Sequence, residues 1–138
     1  MVSTIASLGY RPRIVLVYRA FEGYAFSRHR KNSWDFRKLV EEYVNVNATA
    51  LLQLQMSGGC VVSYKEIVNL EETAWAISLS EVTGLETKAI LESRETLVQK
   101  AKTKTVPPYL SLLELDPRVS QIYELLSRLK ARVIQPIG

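Results

Sequence analysis

The densest group of chemically useful side chains in this sequence is a run of cations near its beginning. The stretch SRHRKNSW, residues 27–34, contains Arg28, His29, Arg30 and Lys31. Further cations flank it on both sides: Arg11, Arg13, Arg19, Arg37 and Lys38. Guanidinium groups form paired hydrogen bonds with phosphate oxygens and stack on planar rings, which ammonium groups do less well. We therefore predict that these nine residues bind nucleic acid. An acidic protein partner and a merely solvated basic segment are the alternatives.

Positive charge is concentrated in the first 40 of the 138 residues. These 40 residues carry eight basic and two acidic side chains, whereas the remaining 98 carry ten basic and twelve acidic ones. A basic segment joined to a near-neutral body is typical of proteins that hold a phosphate backbone. We accordingly divide the chain into a basic, aromatic-rich nucleic-acid-binding arm, residues 1–32, and a helical packing and assembly domain, residues 33–138.

Combinations of residues that would carry catalysis or bind metal are missing from the sequence. There is no glycine-rich phosphate loop and no serine nucleophile motif, and His29 and Cys60 are the only histidine and cysteine. No apolar run approaches the roughly 18 residues that span a bilayer. We predict a protein without enzymatic activity, cofactor, metal, small-molecule substrate or transmembrane segment.

Hydrophobic periodicity predicts four helices in the assembly domain. They are expected over residues 34–55, 64–80, 85–102 and from Pro117 to about Val133. The earlier stretch RIVLVYRAF is rich in β-branched and aromatic residues, which favours a short strand or an extended arm. The predicted fold class is therefore mostly α: a four-helix bundle-like body with an extended basic N-terminal arm.

Local motifs place the starts of these helices and their buried faces. Ser63 with Glu66 and Thr83 with Glu86 have the spacing of capping boxes. The second helix is expected to bury Ile67, Leu70, Ala74 and Ile77, and the third helix to bury Ile90, Leu91, Leu97, Val98 and Ala101.

The last predicted helix has the clearest pattern. Asp116 is expected to cap it and Pro117 to occupy its first position. A narrow apolar seam follows at spacings of three and four: Val119, Ile122, Leu126, Leu129 and Val133. Such a seam suits a partner helix of the same chain or of a second copy. We predict that it mediates self-assembly.

One stretch resembles the helix-turn-helix segment of bacterial and archaeal regulators. In LSEVTGLETKAILESRETL, residues 79–97, Val82, Gly84 with Leu85, and Ile90 occupy the positions of that motif's apolar residue, turn and packed second helix. The resemblance implies a sequence-specific regulator that dimerises through the last helix. However, the would-be recognition helix is neutral to acidic, and a helix that enters the major groove normally brings more cations.

The layout of the whole chain resembles the major capsid proteins of filamentous viruses of hyperthermophilic archaea. The arm GYRPRIVLVYRAFEGYAFSRHRKNSW and the helices after it support the comparison. The resemblance implies a virion coat protein that wraps double-stranded DNA, with copies of itself and a related second coat protein as partners. A cytoplasmic regulator is one alternative, and a small helical subunit of an RNA-guided complex is another. We favour non-specific backbone binding because the cations lie on the arm and not on the would-be recognition helix.

Overall fold

A computed structural model describes residues 12–32, 35–100, 116–130 and 132–137, with the backbone alone at residues 29–32, 36 and 96–100. Nine elements follow one another in this part of the chain. They are β1 (Ile14–Tyr18), α1 (Phe21–Asn32), α2 (Phe36–Ser57), β2 (Gly59–Ser63), α3 (Tyr64–Val68), α4 (Ala74–Thr83), α5 (Thr87–Lys100), α6 (Pro117–Leu129) and β3 (Val133–Ile134). The predicted mostly α class is confirmed.

Three short strands form a sheet in the order β1–β2–β3. The pairing of β1 with β2 is parallel, with Ile14 opposite Gly59, and the pairing of β2 with β3 is antiparallel. All five residues of β2 are buried, as expected for a central strand that is covered on both faces.

Helices cover both faces of the central strand, because successive side chains of a strand point to opposite sides. On one side, Val61 packs with Leu51 and Leu54 of α2 and with Leu126 of α6. A second apolar cluster attaches α1 to α2 and α6: Phe21, Ala25, Leu39, Val40, Tyr43 and Val119. We call α1, α2 and α6 the first layer.

The opposite face of β2 is covered by a second layer, formed by α4 and α5. Cys60 and Val62 of the strand pack there with Trp75, Ala76 and Ile90. Five of the six described helices, all except the short α3, therefore form two layers around a small sheet, and the structure does not confirm a four-helix bundle.

Residues 12–32 were predicted as part of an extended arm, but they form β1 and α1. Leu16 and Tyr18 of β1 and Phe21 and Ala25 of α1 are buried, because their apolar side chains complete the first layer. The prediction of a short strand within RIVLVYRAF is confirmed. Residues 1–11 lie outside the described residues.

Helix boundaries agree best with the prediction where local signals are strong. Asp116 accepts a hydrogen bond from the backbone N–H of Arg118, and Pro117 starts α6 as expected. Helix α2 ends at Ser57, where Gly58 at φ 77° and Gly59 at φ 145° allow the chain to turn directly into β2. Val133, which was predicted on the last helix, belongs to β3.

The predicted helix over residues 64–80 is interrupted. Asn69 ends α3, and its side-chain oxygen accepts a hydrogen bond from the N–H of Glu71, a local turn that competes with the helix. The break changes the phase of the following helix, so Trp75 and Ala76 are buried while Leu70 and Ile77 are exposed. Neither predicted capping box forms: Ser63 makes no side-chain cap, and Thr83 is the last residue of α4.

Candidate nucleic-acid interface

The predicted cations are densest in the sequence where α1 ends and α2 begins. Helix α1 packs against α2 through a contact of the Phe21 and Tyr43 rings, whose centroids are 5.3 Å apart. About two turns further along α1, Arg28 forms an ion pair with Glu42, the residue before Tyr43 on α2. We call residues 28–38 the cationic corner. It contains five Lys and Arg residues and one acid, Asp35.

Two cations of this corner lie on the first turn of α2. Asp35 caps the helix by accepting a hydrogen bond of 2.9 Å from the backbone N–H of Lys38. Arg37 and Lys38 are exposed, and neither forms an ion pair with another described residue. Unpaired cations near a helix N-terminus favour an anionic ligand, because the helix dipole adds to their positive potential.

Arg28 is not a free cation. Its guanidinium binds both carboxylate oxygens of Glu42, at 2.6 Å and 3.2 Å. The hydrogen bond with Glu42 raises the pKa of Arg28, and burial together with Glu42 raises the pKa of the neighbouring Tyr24. The prediction that Arg28 binds a polyanion needs correction, because a carboxylate of the same chain already neutralises it.

Arg19 also has an internal role. Its guanidinium carbon lies 4.4 Å from the centre of the Tyr64 ring, and its backbone carbonyl accepts a hydrogen bond of 2.8 Å from the Tyr43 hydroxyl. These contacts tie the junction of β1 and α1 to α2 and α3. Arg19 therefore supports the fold instead of lying with the cations of the corner.

Arg13 is exposed but lies far from the corner. The N–H of Ile14 donates to the carbonyl of Gly58 over 2.9 Å, so β1 starts beside the C-terminal end of α2. Lys38 is at the other end of this helix, about 30 Å away at 1.5 Å per residue. The fold therefore does not bring Arg13 and Lys38, both predicted nucleic-acid contacts, together at one place. Arg11 and the side chains of His29, Arg30 and Lys31 lie outside the described part of the chain.

The apolar seam of the last helix is used inside the chain. Val119 and Leu126 are buried in the first layer, and Ile122 and Leu129 pack partly buried against the same clusters. Val133 pairs with Cys60 in the sheet. Self-assembly through these five residues is therefore corrected to an internal packing role, because α2 and the sheet already occupy the seam.

Sequence reasoning missed the charge of the second layer. Six carboxylates are exposed in the loop before α4, on α4, in the turn that follows it and on α5: Glu71, Glu72, Glu81, Glu86, Glu92 and Glu95. Residues 69–95 contain two cations, of which Lys88 is exposed and Arg94 is buried. A charge count in a short window, instead of over residues 41–138 together, would have found this concentration. We call the six glutamates the acidic face.

The buried Arg94 was also missed, because arginine in a helix is normally expected at the surface. Its guanidinium donates to the backbone carbonyls of Glu72 at 2.6 Å and of Leu70 at 3.3 Å, and it lies over the Trp75 ring at 5.8 Å. It therefore fastens α5 to the loop that precedes α4. The only signal in the sequence is its spacing of four residues from the apolar Ile90.

Within the described residues there is no group of three His, Cys, Asp or Glu side chains that could hold a metal ion. None of the described helices combines the length and hydrophobicity needed to cross a membrane. Comparisons with protein-family models, with curated proteins and with solved structures found no match to this chain.

Proposed function

We propose that this chain is a non-enzymatic structural protein that binds the phosphate backbone of double-stranded DNA without reading its sequence. The observation that carries the proposal is the pair Arg37 and Lys38, exposed and without ion-pair partners among the described residues, on the first turn of α2 beside the basic end of α1. Arg30 and Lys31 belong to the same corner by sequence. His29 and Arg11, which lies nearer the beginning of the sequence, remain predicted contacts with nucleic acid.

The charge difference between the layers supports backbone binding over groove reading. The acidic face lies across the sheet from the first layer, and phosphates repel its carboxylates. A duplex is therefore attracted to the corner and repelled from α5, which orients the protein on DNA without any base contact.

The resemblance to coat proteins of filamentous archaeal viruses supplies the second half of the proposal. In this hypothesis copies of the chain, with a related second coat protein, assemble around DNA in a virion. Since the seam on α6 is already occupied, another surface would have to join the copies.

The experiment measures duplex affinity and its dependence on salt by fluorescence anisotropy, with short labelled duplexes of two unrelated sequences. If the four cations Arg30, Lys31, Arg37 and Lys38 each displace a counterion, log affinity should fall against log salt with a slope of about −3 to −4. Replacing Arg37→Glu and Lys38→Glu together should weaken binding about tenfold or more at low salt.

The matched control is Lys65→Glu with Arg132→Glu, which makes the same change in net charge at exposed sites outside the corner. The control should retain affinity within about threefold, because distant exposed charges are screened. Equal losses in both variants, or no binding by the wild type, would overturn the proposal. A clear preference for RNA or single strands would instead favour the guide-complex subunit.

A helix-turn-helix regulator is the second candidate, and one observation favours it. Helices α4 and α5 are joined by a turn of three residues in which Gly84 adopts φ 77° and ψ 2°. Val82 and Ile90 lie in the apolar cluster under this turn. A short turn at Gly84 supports the helix-turn-helix alternative, although the exposed charge of these two helices is acidic. A discrete footprint on a genomic fragment, lost in Lys88→Glu and retained in Arg37→Glu, would select this candidate.

A further inference from the structure

The acidic face has no described partner within the chain. None of its six glutamates forms an ion pair with a described residue, whereas most of the other described acids, Glu41, Glu42, Glu66, Asp116 and Glu124, do. Two large apolar side chains lie among these carboxylates: Ile77 and Leu85 are each 57% exposed. Exposed apolar side chains within a surface of mainly one charge, here six carboxylates and the single exposed cation Lys88, are typical of a surface that another macromolecule covers.

The same chain carries a surface of complementary charge, the cationic corner, but the acidic face cannot contact the corner of its own chain. The cationic corner belongs to the first layer, and the sheet lies between that layer and the acidic face. The two layers hold their positions through buried side chains on opposite faces of β2, so a chain cannot place its own corner on its own acidic face. A second copy can.

We propose that, in the absence of nucleic acid, the acidic face of one copy docks onto the cationic corner of another. Glu92 and Glu95 on the outer side of α5 face Arg37 and Lys38 of the second copy, and Ile77 and Leu85 supply the apolar part of the contact. The contact between copies stands without nucleic acid, and this inference rests on the proposed function in one respect only, namely that nucleic acid competes for the corner.

The geometry of such a contact has two consequences. It joins two different surfaces, so a bound pair still offers one free corner and one free acidic face, and association continues instead of closing at a dimer. It also uses the cations that a phosphate backbone would neutralise. Nucleic acid therefore competes with the protein–protein contact and separates the copies.

Sedimentation velocity of the full chain without nucleic acid tests the contact. The wild type should form species larger than the monomer at low ionic strength, about 0.02 M, and sediment as a monomer at about 0.3 M, where exposed charges are screened. Adding a short duplex at low ionic strength should shift the protein to smaller protein–DNA complexes.

Charge reversal identifies the two surfaces. Arg37→Glu with Lys38→Glu, and separately Glu92→Lys with Glu95→Lys, should each remove self-association, while circular dichroism shows an unchanged fold. A mixture of the two variants should associate, because one retains the acidic face and the other retains the corner. The chain with all four substitutions should associate again through the exchanged charges.

The outcomes separate this inference from the proposed function. A wild type that remains monomeric at low ionic strength, or a four-fold variant that stays monomeric while both double variants are folded, overturns the inference whatever the duplex affinity. The variant Glu92→Lys with Glu95→Lys keeps the corner, so it should bind duplex at least as tightly as the wild type. Salt-dependent self-association without any duplex binding would support the inference and overturn the proposed function.

Discussion

The two helical layers on either side of β2 differ in whether their charged side chains form ion pairs within the chain. In the first layer, cations and carboxylates that are distant in sequence pair with each other, as Arg28 does with Glu42 and Arg118 with Glu41. In the second layer, the six glutamates of the acidic face have no described ion-pair partner. A block of charge in a sequence is therefore not a block of available charge, because the fold can neutralise one block and expose another.

The layers also differ in what holds them to the rest of the protein. The first layer is attached by large apolar contacts, in which Phe21, Leu39, Tyr43, Leu54 and Leu126 are almost completely buried. The second layer packs on β2 through Trp75, Ala76 and Ile90 and depends in addition on Arg94, which binds backbone carbonyls of the loop before α4. We expect the second layer to be the first to separate when this arginine is removed.

The sharpest test of the comparison uses two glycines with positive φ, one at the junction of β1 and β2 and one in the second layer. A Cβ on Gly59 would overlap the backbone carbonyl of Ile14, so Gly59→Ala must displace β1 and should lower the free energy of unfolding by more than about 4 kcal/mol. A Cβ on Gly84 meets no described atom within 4 Å. Gly84→Ala should therefore lower the free energy of unfolding by about 1 to 2 kcal/mol, because the only cost is the strain of a left-handed backbone conformation.

Urea unfolding of both variants gives the two free energies. If Gly59→Ala fails to fold, the extent of the effect is still measurable in a background of stabilising osmolyte, with Gly84→Ala as the matched substitution. Equal losses in the two variants would contradict the assignment of a close backbone approach to Gly59 alone.

Part of this fold could be predicted from the sequence because its signals are local. Asp116, Pro117 and the regular apolar spacing fix α6 within one short segment, and Gly58 marks the end of α2. The break at Asn69 could not be predicted, since the side-chain hydrogen bond to Glu71 competes with a helical pattern that continues across it.

Less of the candidate site could be predicted, because pairing depends on how distant elements pack. Glu42 follows Arg28 by 14 residues, and the two meet only because α1 packs back along α2. The separation of Arg13 from Lys38 depends in the same way on the parallel pairing of β1 with β2. The sequence located the cations, and the fold decides which of them are available.

Arg94 of the second layer and Arg28 of the first layer should differ in how much each stabilises the fold. Removing Arg94 takes a charged donor from three backbone carbonyls. The carbonyls of Asn69 and Glu72 keep the Glu72 N–H and Trp75 Nε1 as donors, whereas that of Leu70 loses its described donor, so Arg94→Met should lower the free energy of unfolding by about 2 to 3 kcal/mol. Arg28→Met removes an ion pair whose arginine side chain is 35% exposed, and its effect should be much smaller because water can solvate Glu42. Both substitutions keep the aliphatic stem and remove one positive charge.

Native-state hydrogen exchange locates the effect of each substitution. Arg94→Met should increase exchange of the amides in α4 and α5 more than in α2, since the second layer loses its attachment. Arg94 does not attach the second layer if Arg28→Met lowers the free energy of unfolding more than Arg94→Met does. The same conclusion follows if amide exchange in Arg94→Met increases first in α2. Arg94→Lys, which keeps the charge but not the paired donors, should fall between the wild type and Arg94→Met.

The smallest expected effect concerns Cys60, which lies on β2 beneath the second layer and is completely buried. Burial raises the pKa of its thiol, and the charge of Arg13 opposes this only in part. Below the ordinary thiol value of about 8.5, the group is protonated in the folded and the unfolded chain alike and pH has no effect through it. Above that value the unfolded chain ionises while the folded chain does not, so the free energy of unfolding falls by at most about 1.4 kcal/mol per pH unit.

The free energies of unfolding of the wild type and of Cys60→Ala should be measured from pH 7 to pH 9.5. The other titrating groups are common to both chains, so their effects cancel in the difference between the two values. That difference should be constant in the lower half of the pH range and should become smaller in the upper half, where the thiol ionises in the unfolded wild type. A difference that stays constant would mean that water reaches the thiol, and thus that the second layer covers β2 less completely than the first.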